Sequence, residues 1–366
     1  MGERKVRGAE AYSFVRRSVA DRSAIPKMRL RRSRSNPTCG IVCLAPMKKI
    51  LVFAHNIRAV QNPNGYRIEQ YFPYLERAGF AVRRLTTRAG VATLVGALRE
   101  ADVVYVQRLL PDIGKRYLLK SFARKIVFDF DDAIMYGSGK ESRTRRGRFR
   151  SMMRLSNAVL CGNDFLVSEA RRYKGESVFC VPTVVDTEGY PLKEHVSAVP
   201  FAVGWMGGAA TLRYLQDVAP LLVAPPAGAV FKVVADKRPD IAGAQVAFEK
   251  WSGETEKRML LGFDAGIMPA RNDVWSRGKC GLKLIQYAAC GLPSISHPFG
   301  VSKEIIEDGA SGFLREDIDG WREAIERLRD DVALRMRMGT RARAIVEELY
   351  SLKHWGPRVA AIVGSL

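Results

Sequence analysis

From Met47 almost to the C-terminus, short apolar runs alternate with amphipathic stretches of helical length, and glycine, proline and aspartate punctuate the turns. Strands that alternate with helices in this way pack as a parallel sheet with helices on both faces. The pattern predicts strands at 49–54, 80–85, 102–106, 125–130, 157–161 and 177–181, and helices near 66–78, 90–100, 112–123 and 164–173. Residues 187–200 carry two prolines and no periodicity, which suits an interdomain linker. A second series follows, with strands at 201–205, 230–235 and 263–268 and helices at 211–219, 254–260, 319–329 and 331–349. No repeat recurs at a fixed period.

Within the second series, residues 279–314 (KCGLKLIQYAACGLPSISHPFGVSKEIIEDGASGFL) hold the densest information. A glycine turn opens an amphipathic helix that stops at Gly291, and Pro293 starts a short apolar strand. Such a unit can hold a diphosphate on backbone N–H groups and a helix N-terminus. Lys279 and Lys283 stand four residues apart and can add positive charge at the same place.

The formal net charge of +21 predicts attraction to polyanions: nucleic acid, anionic lipid or phosphorylated substrates. No zinc-finger spacing, RNP-like string or heptad basic region accompanies it, so sequence-specific nucleic-acid binding is not expected. No apolar run approaches the roughly 18–20 residues that span a bilayer. The six cysteines, Cys39, Cys43, Cys161, Cys180, Cys280 and Cys290, form no zinc or redox spacing and read as reduced cytosolic thiols. Residues 1–46 are basic, serine-rich and aperiodic. They read as a disordered extension, with Met47 an alternative first residue and a membrane-touching arm the functional alternative.

Four strings carry a family resemblance across residues 47–355: VFDFDDAI (127–134), LCGNDFL…VPTVVD (160–186), VGWMGGAATLRYL (203–215) and FDAGIMPARNDVWSRGKCGLKLIQYAACGLP (263–293). Together they resemble a bacterial subgroup of the family 4 (group 1) glycosyltransferases. The resemblance implies the GT-B fold: two doubly wound Rossmann-like domains facing across a cleft, with a C-terminal crossover helix. It sets an acceptor-side domain at 47–196, a nucleotide-sugar domain at 197–345 and a crossover segment at 346–366. It implies a retaining transfer from a nucleotide diphosphate sugar to a glycan or lipid-linked acceptor in envelope polysaccharide assembly. No cofactor and no metal are expected, the nucleotide sugar being a co-substrate. The setting it implies is cytoplasmic, with peripheral contact at the anionic inner face of the cytoplasmic membrane as a further expectation.

The resemblance places donor binding on Gly207, Gly208, Arg213, Lys279, Gly281, Lys283, Gln286 and His297. Gly65, Arg67 and Asp131 fall on the acceptor side, and Asp131, Asp132 and Lys283 carry the catalytic expectation. Two departures stand out. Family members have two glutamates separated by seven residues, the later one on the nucleotide ribose; here Gln286 occupies the later place and Gly278 the earlier. An arginine usually follows the strand before GWMGG's glycines, and Trp205 stands there instead. FDFDD leaves several readings open. Asp129 and Asp131 could be metal ligands, a phosphatase nucleophile and acid, or a loop cap, beside the acceptor-side reading of Asp131 and Asp132. The basic run 140–154 is either a solvated face or a docking surface for anionic lipid or pyrophosphate. A sugar-binding protein without catalysis remains the alternative from outside the enzyme class.

Overall fold

The computed structural model describes residues 47–55, 65–137, 140–197 and 199–366. The extension expected at 1–46 and nearly all of the loop at 56–65 lie outside the described residues. Two parallel six-stranded sheets form the body. The first is built from β1 (Lys48–Ala54), β2 (Phe80–Thr86), β3 (Val103–Gln107), β4 (Ile126–Phe130) and, past a short hairpin of β5 (Tyr136–Gly137) and β6 (Lys140–Glu141), β7 (Ala158–Cys161) and β8 (Val178–Cys180). Its order is β2-β1-β3-β4-β7-β8.

The second sheet contains β9 (Phe201–Met206), β10 (Ala229–Ala235), β11 (Val246–Lys250), β12 (Ala265–Met268), β13 (Ser294–Ser296) and β14 (Gly312–Leu314), in the order β11-β10-β9-β12-β13-β14. This order reverses between β9 and β12. A crevice therefore opens beyond their carboxyl ends, where ligands of doubly wound sheets bind. The strand cores are apolar on both faces, as parallel sheets require: every residue of β4, including Asp129, and every residue of β9 is buried.

Helices on both faces close each core. The expected crossover is present. The helix Leu352–Gly364 returns to the first sheet and buries Trp355, Val359 and Val363 in the cluster that contains Ile50, Tyr71 and Leu75. The basic run is a helix, Arg143–Leu155, capped by Ser142, with Phe149, Met152 and Met153 turned inward and most of its arginines outward. Some elements differ from the sequence pattern. Residues Ala209–Val218 form a 3-10 segment, and a separate short helix starts at Ala219. Pro220 has no N–H to continue a helix but fits the first turn of a new one. Residues 246–250 form an edge strand whose exposed Glu249 and Lys250 hide its alternation.

A buried ion pair ties the first sheet to the segment that follows β1. Arg67 Nε donates to both carboxylate oxygens of Asp129, at 2.9 and 3.0 Å, and Arg67 Nη1 donates to the Val181 carbonyl at 2.6 Å. Asp129 is fully buried and Arg67 is 5% exposed. Burial pushes the Asp129 carboxyl above the usual carboxylate range, and the Arg67 charge opposes that shift. Removing one partner of such a pair strands the other, which costs about 3–5 kcal/mol. Arg67→Met should therefore lower unfolding stability in urea by about that amount. The double variant Arg67→Met/Asp129→Leu should recover most of the loss, because no buried charge is left alone.

Candidate active site

The crevice at the strand-order reversal is a cavity of about 480 Å³ between the two sheets. Its walls come from Gly207 and Gly208 after β9, Met268–Ala270 after β12, the turn and helix at 279–286, and Tyr66, Asp131, Asp132 and Thr183 from the first domain and the segment after it. Of the donor-side expectations, Gly207, Gly208, Lys279, Gly281, Lys283 and Gln286 line it, and so do Asp131 and Asp132.

Lys283 lies on the first turn of the helix Leu282–Ala289. Its ammonium stands 5.1 Å over the Trp205 ring and 3.4 Å from Thr211 Oγ1. Gly207 makes room for it: a Cβ there would sit 2.5 Å from Lys283 Cε and 2.9 Å from its Nζ. Burial lowers the Lys283 pKa to about 8, and the neighbouring charge of Lys279 acts in the same direction. The half-buried ammonium carries a positive charge without a carboxylate bound to it among the described residues.

Lys279 is different, because it already holds a carboxylate. Its Nζ lies 3.0 Å from Asp132 Oδ1, while Asp132 Oδ2 pairs with Arg108. Arg108 Nε is 3.2 Å from Asp131 Oδ1. The Arg108 backbone has a φ of +51°, unusual for a residue with a side chain. Its N–H donates to the Asp129 carbonyl at 2.8 Å. Thus the first domain presses its acidic loop onto the turn of the second domain. Cys280 Sγ donates to the Asp131 carbonyl at 3.1 Å, and Asn163 Nδ2 donates to the carbonyls of Arg277 and Lys279 at 3.0 and 2.8 Å.

This contact gives a physical reason for Gly278. A Cβ there would lie 2.5 Å from Ala133 Cβ and 2.8 Å from Ala133 N. The space in which a side chain at 278 would stand is filled by the loop that carries Asp131 and Asp132.

Other expected residues lie elsewhere. Arg67 is buried on Asp129, and its guanidinium is consumed by that pair. Asp129 is equally withdrawn, so the metal-ligand and phosphatase readings lose the residue they need at a substrate. Gly65 does not line the cavity; its neighbour Tyr66 does. Arg213 is exposed, with its guanidinium over the Tyr214 ring. His297 is buried behind the wall, where its Nδ1 accepts from the Ala270 N–H at 3.1 Å and its ring stacks on Phe299. Burial lowers its pKa, which keeps the ring neutral for that acceptor role.

Sequence reasoning missed Arg108, Tyr66, Trp251 and Glu256. Glu256, the first residue of the helix Glu256–Leu261, is buried and accepts from Tyr66 Oη, from Gln286 Nε2 at 2.9 Å and from Trp251 Nε1 at 2.9 Å. No spacing marks it in the sequence. Only the glycine turn beside Tyr66 offered a hint.

Comparison with known proteins agrees with this geometry. Residues 200–331 match the sequence model of the glycosyl transferases group 1. No curated protein sequence matches the chain significantly. Among solved structures, HepE of Anabaena in complex with UDP and glucose superposes with a TM-score of 0.70 at 16% identity, covering 87% of this chain and all of that one. Sucrose-phosphate synthase of Thermosynechococcus elongatus gives 0.66 at 13% identity, over 85% of this chain and 97% of that one. A glycosyltransferase of Rickettsia africae gives 0.66 at 12% identity, over 87% and 98%. The fold is that of the GT-B glycosyltransferases. Over its second domain the chain is similar to the glycosyl transferases group 1.

If the Lys283 ammonium meets a donor diphosphate, Lys283→Ala removes a charge-assisted contact worth about 1.5–3 kcal/mol, so donor turnover should fall roughly ten- to a hundred-fold in a protein with unchanged melting temperature. Deprotonation should mimic this loss. The ammonium is present below its pKa and lost above it, so kcat/KM for the donor should decline as pH rises through about 8. Lys283→Arg, which stays charged, should move that decline to higher pH. A profile shared by wild type and both variants would remove Lys283 from the donor site.

Proposed function

We propose that this protein moves a sugar from a nucleoside diphosphate donor to a glycan or lipid-linked acceptor with retention of anomeric configuration. The role fits envelope polysaccharide assembly. One observation carries the donor assignment: the cavity at the strand-order reversal joins the Lys283 ammonium, the close backbone at Gly207 and the N-terminus of the helix Leu282–Ala289. These groups suit a diphosphate. They would stabilise the negative charge that grows on it as the glycosidic bond breaks. HepE of Anabaena is described in complex with UDP-glucose, which favours a UDP-sugar as the first donor to test. Asp131 and Asp132 reach the cavity from the opposite domain, so they suit hydroxyls of the acceptor or of the transferred sugar.

The test is a screen of nucleoside diphosphate sugars by thermal shift, followed by donor hydrolysis and transfer assays with and without EDTA. A ligand that binds only the folded state raises the melting temperature. One donor should do so, and its turnover should survive chelation, since lysine and backbone N–H groups serve the diphosphate. Asp131→Asn should slow transfer more than it weakens donor binding. Activity abolished by EDTA and restored by manganese or magnesium would overturn the metal-free reading.

The acceptor reading extends to a membrane surface. Arg143, Arg150 and Arg154 share one exposed stripe of the helix Arg143–Leu155, and no described residue pairs with them. On the helix Ile113–Phe122, Ile113 and Tyr117 are 79% and 68% exposed one turn apart. Both helices pack on the same core cluster, so they share one face of the first sheet. No helix among the described residues is long and apolar enough to cross a membrane. Each arginine near an anionic leaflet contributes about 1 kcal/mol. The protein should therefore sediment with phosphatidylglycerol vesicles and not with phosphatidylcholine vesicles. The triple change Arg143→Glu/Arg150→Glu/Arg154→Glu should weaken that binding by at least roughly ten-fold.

A further inference from the structure

Outside the cavity, a seam between the domains forms where three segments remote in sequence meet. They are the first turn of the helix Asp164–Arg171, the helix Ser302–Ile305 after β13 and the returning segment at 350–355. The seam holds a void of about 10 Å³, room for about one water molecule. Its walls include Asn163 and Cys180 of the first domain, Cys280 and Glu304 of the second, and Tyr350 and Trp355. No lysine, arginine or histidine lines it among the described residues.

Two carboxyl groups approach each other here from opposite domains. Glu304 is half-buried, and the charge of Asp164 acts on it. Asp164 Oδ1 is buried and receives no hydrogen bond from a described residue. The cation that acts on Asp164 is Arg171, in the last turn of its own helix, and none acts on Glu304 among the described residues. Donors around the void are engaged elsewhere. Asn163 Nδ2 serves the carbonyls of Arg277 and Lys279, Cys280 Sγ the carbonyl of Asp131, and Trp355 Nε1 the carbonyl of Leu349. Cys180 and Tyr350 are the remaining titratable groups at the void, and burial keeps the Cys180 thiol protonated. Two carboxylates in such a place repel. One proton supplies both missing parts: it removes a charge, and it gives an O–H donor for an orphaned oxygen. Asp164 sits in the first turn of its helix, where the N-terminal partial charge favours a carboxylate. The proton therefore belongs on Glu304.

We propose that a proton latches the two domains together: neutral Glu304 of the second domain donates to the Asp164 carboxylate of the first, directly or through one water, and loss of that proton loosens the seam. The inference does not depend on the identity of the donor. Burial, with the Asp164 charge beside it, pushes the Glu304 carboxyl up to about 7. In an opened seam the carboxyl returns to the ordinary glutamate range. The closed seam thus holds the proton more tightly than the open one. Its support for closure is complete below the ordinary glutamate range and is lost as pH rises through about 7.

Amide hydrogen exchange of the full chain, read by mass spectrometry at about pH 5.5 and about pH 8, tests the latch. After correction for the intrinsic rate at each pH, exchange in peptides over 163–168 and 302–306 should rise roughly tenfold or more between the two in wild type. Peptides over β4 should not follow. Glu304→Gln keeps the shape of the neutral carboxyl and a donor, so its seam should stay protected at both pH values. Asp164→Asn offers an amide donor to a charged Glu304 and should flatten the rise as well. A purely structural Glu304 would change protection equally at both pH values and leave the wild-type slope. A wild-type seam that exchanges alike at both pH values would overturn the proposal, and so would a slope unchanged in Glu304→Gln. A rise shared by the β4 peptides would also overturn it, since the whole domain would then be loosening. If Glu304→Gln fails to fold, Asp164→Asn decides: a folded Asp164→Asn protein with the wild-type slope overturns the latch.

Discussion

The cavity between the two sheets depends on a charge pair that does not line it. Arg67 reaches under the first sheet to Asp129 at the end of β4 and to the carbonyl of Val181 just beyond β8. Three parts of the domain that are remote in sequence are thereby held at one point. The loop that leaves β4 starts from this anchor, and Asp131, Asp132 and Ala133 follow within a few residues. Two carboxylates side by side repel, and their placement costs free energy unless cations face them. Arg108 supplies one cation from just beyond the neighbouring strand β3, through a backbone conformation that few side-chain-bearing residues adopt. Lys279 supplies the second from the other domain. The acidic loop is thus an electrostatic joint between the domains as well as a wall of the cavity.

That joint sorts the two lysines of the second domain. Lys279 is held by Asp132, so its charge is largely cancelled before any ligand arrives. Lys283 has a tryptophan face and a threonine hydroxyl instead, and burial lowers its proton affinity. An incoming diphosphate would find its strongest unmet positive charge there. The same loop accounts for Gly278, since Ala133 occupies the volume of any side chain at that place. A glycine that read as a missing carboxylate in the sequence is a packing requirement. At the other end of the cavity, a carboxylate stands next to Gln286, on the helix Glu256–Leu261 rather than on the helix of the motif.

Much of this was legible in the chain, and the reason is local. Period-2 and helix-period patterns report which face of an element is buried, because burial of apolar surface is what orders the element. Both series of strands and the segment 279–293 were therefore visible, while the crossover to the first sheet came from the family resemblance. Also visible were Gly207, Asp131 and Asp132, which follow strand ends where doubly wound sheets bind ligands, and Lys279 and Lys283 around the glycine turn that opens the helix Leu282–Ala289. The exceptions were also local in cause. Pro220 broke one helix into a 3-10 segment and a new turn, and the charged edge strand 246–250 had too little alternation to register.

Partnership between distant residues was not legible. Arg67 and an acceptor-side arginine look alike in sequence, yet 62 residues separate Arg67 from the carboxylate that consumes it. Arg213 and His297 lie in the right segments, but side-chain direction turned one to solvent and the other behind the wall. Glu256 carries no spacing signal, because its partners come from β11's end, the motif helix and the first domain. The sequence by itself determined the elements, their order and the turns that frame the cleft, since those follow from neighbours along the chain. Only the tertiary structure decided which charges cancel, which remain for a ligand and where a carboxylate meets Gln286, since those depend on distances across two packed domains.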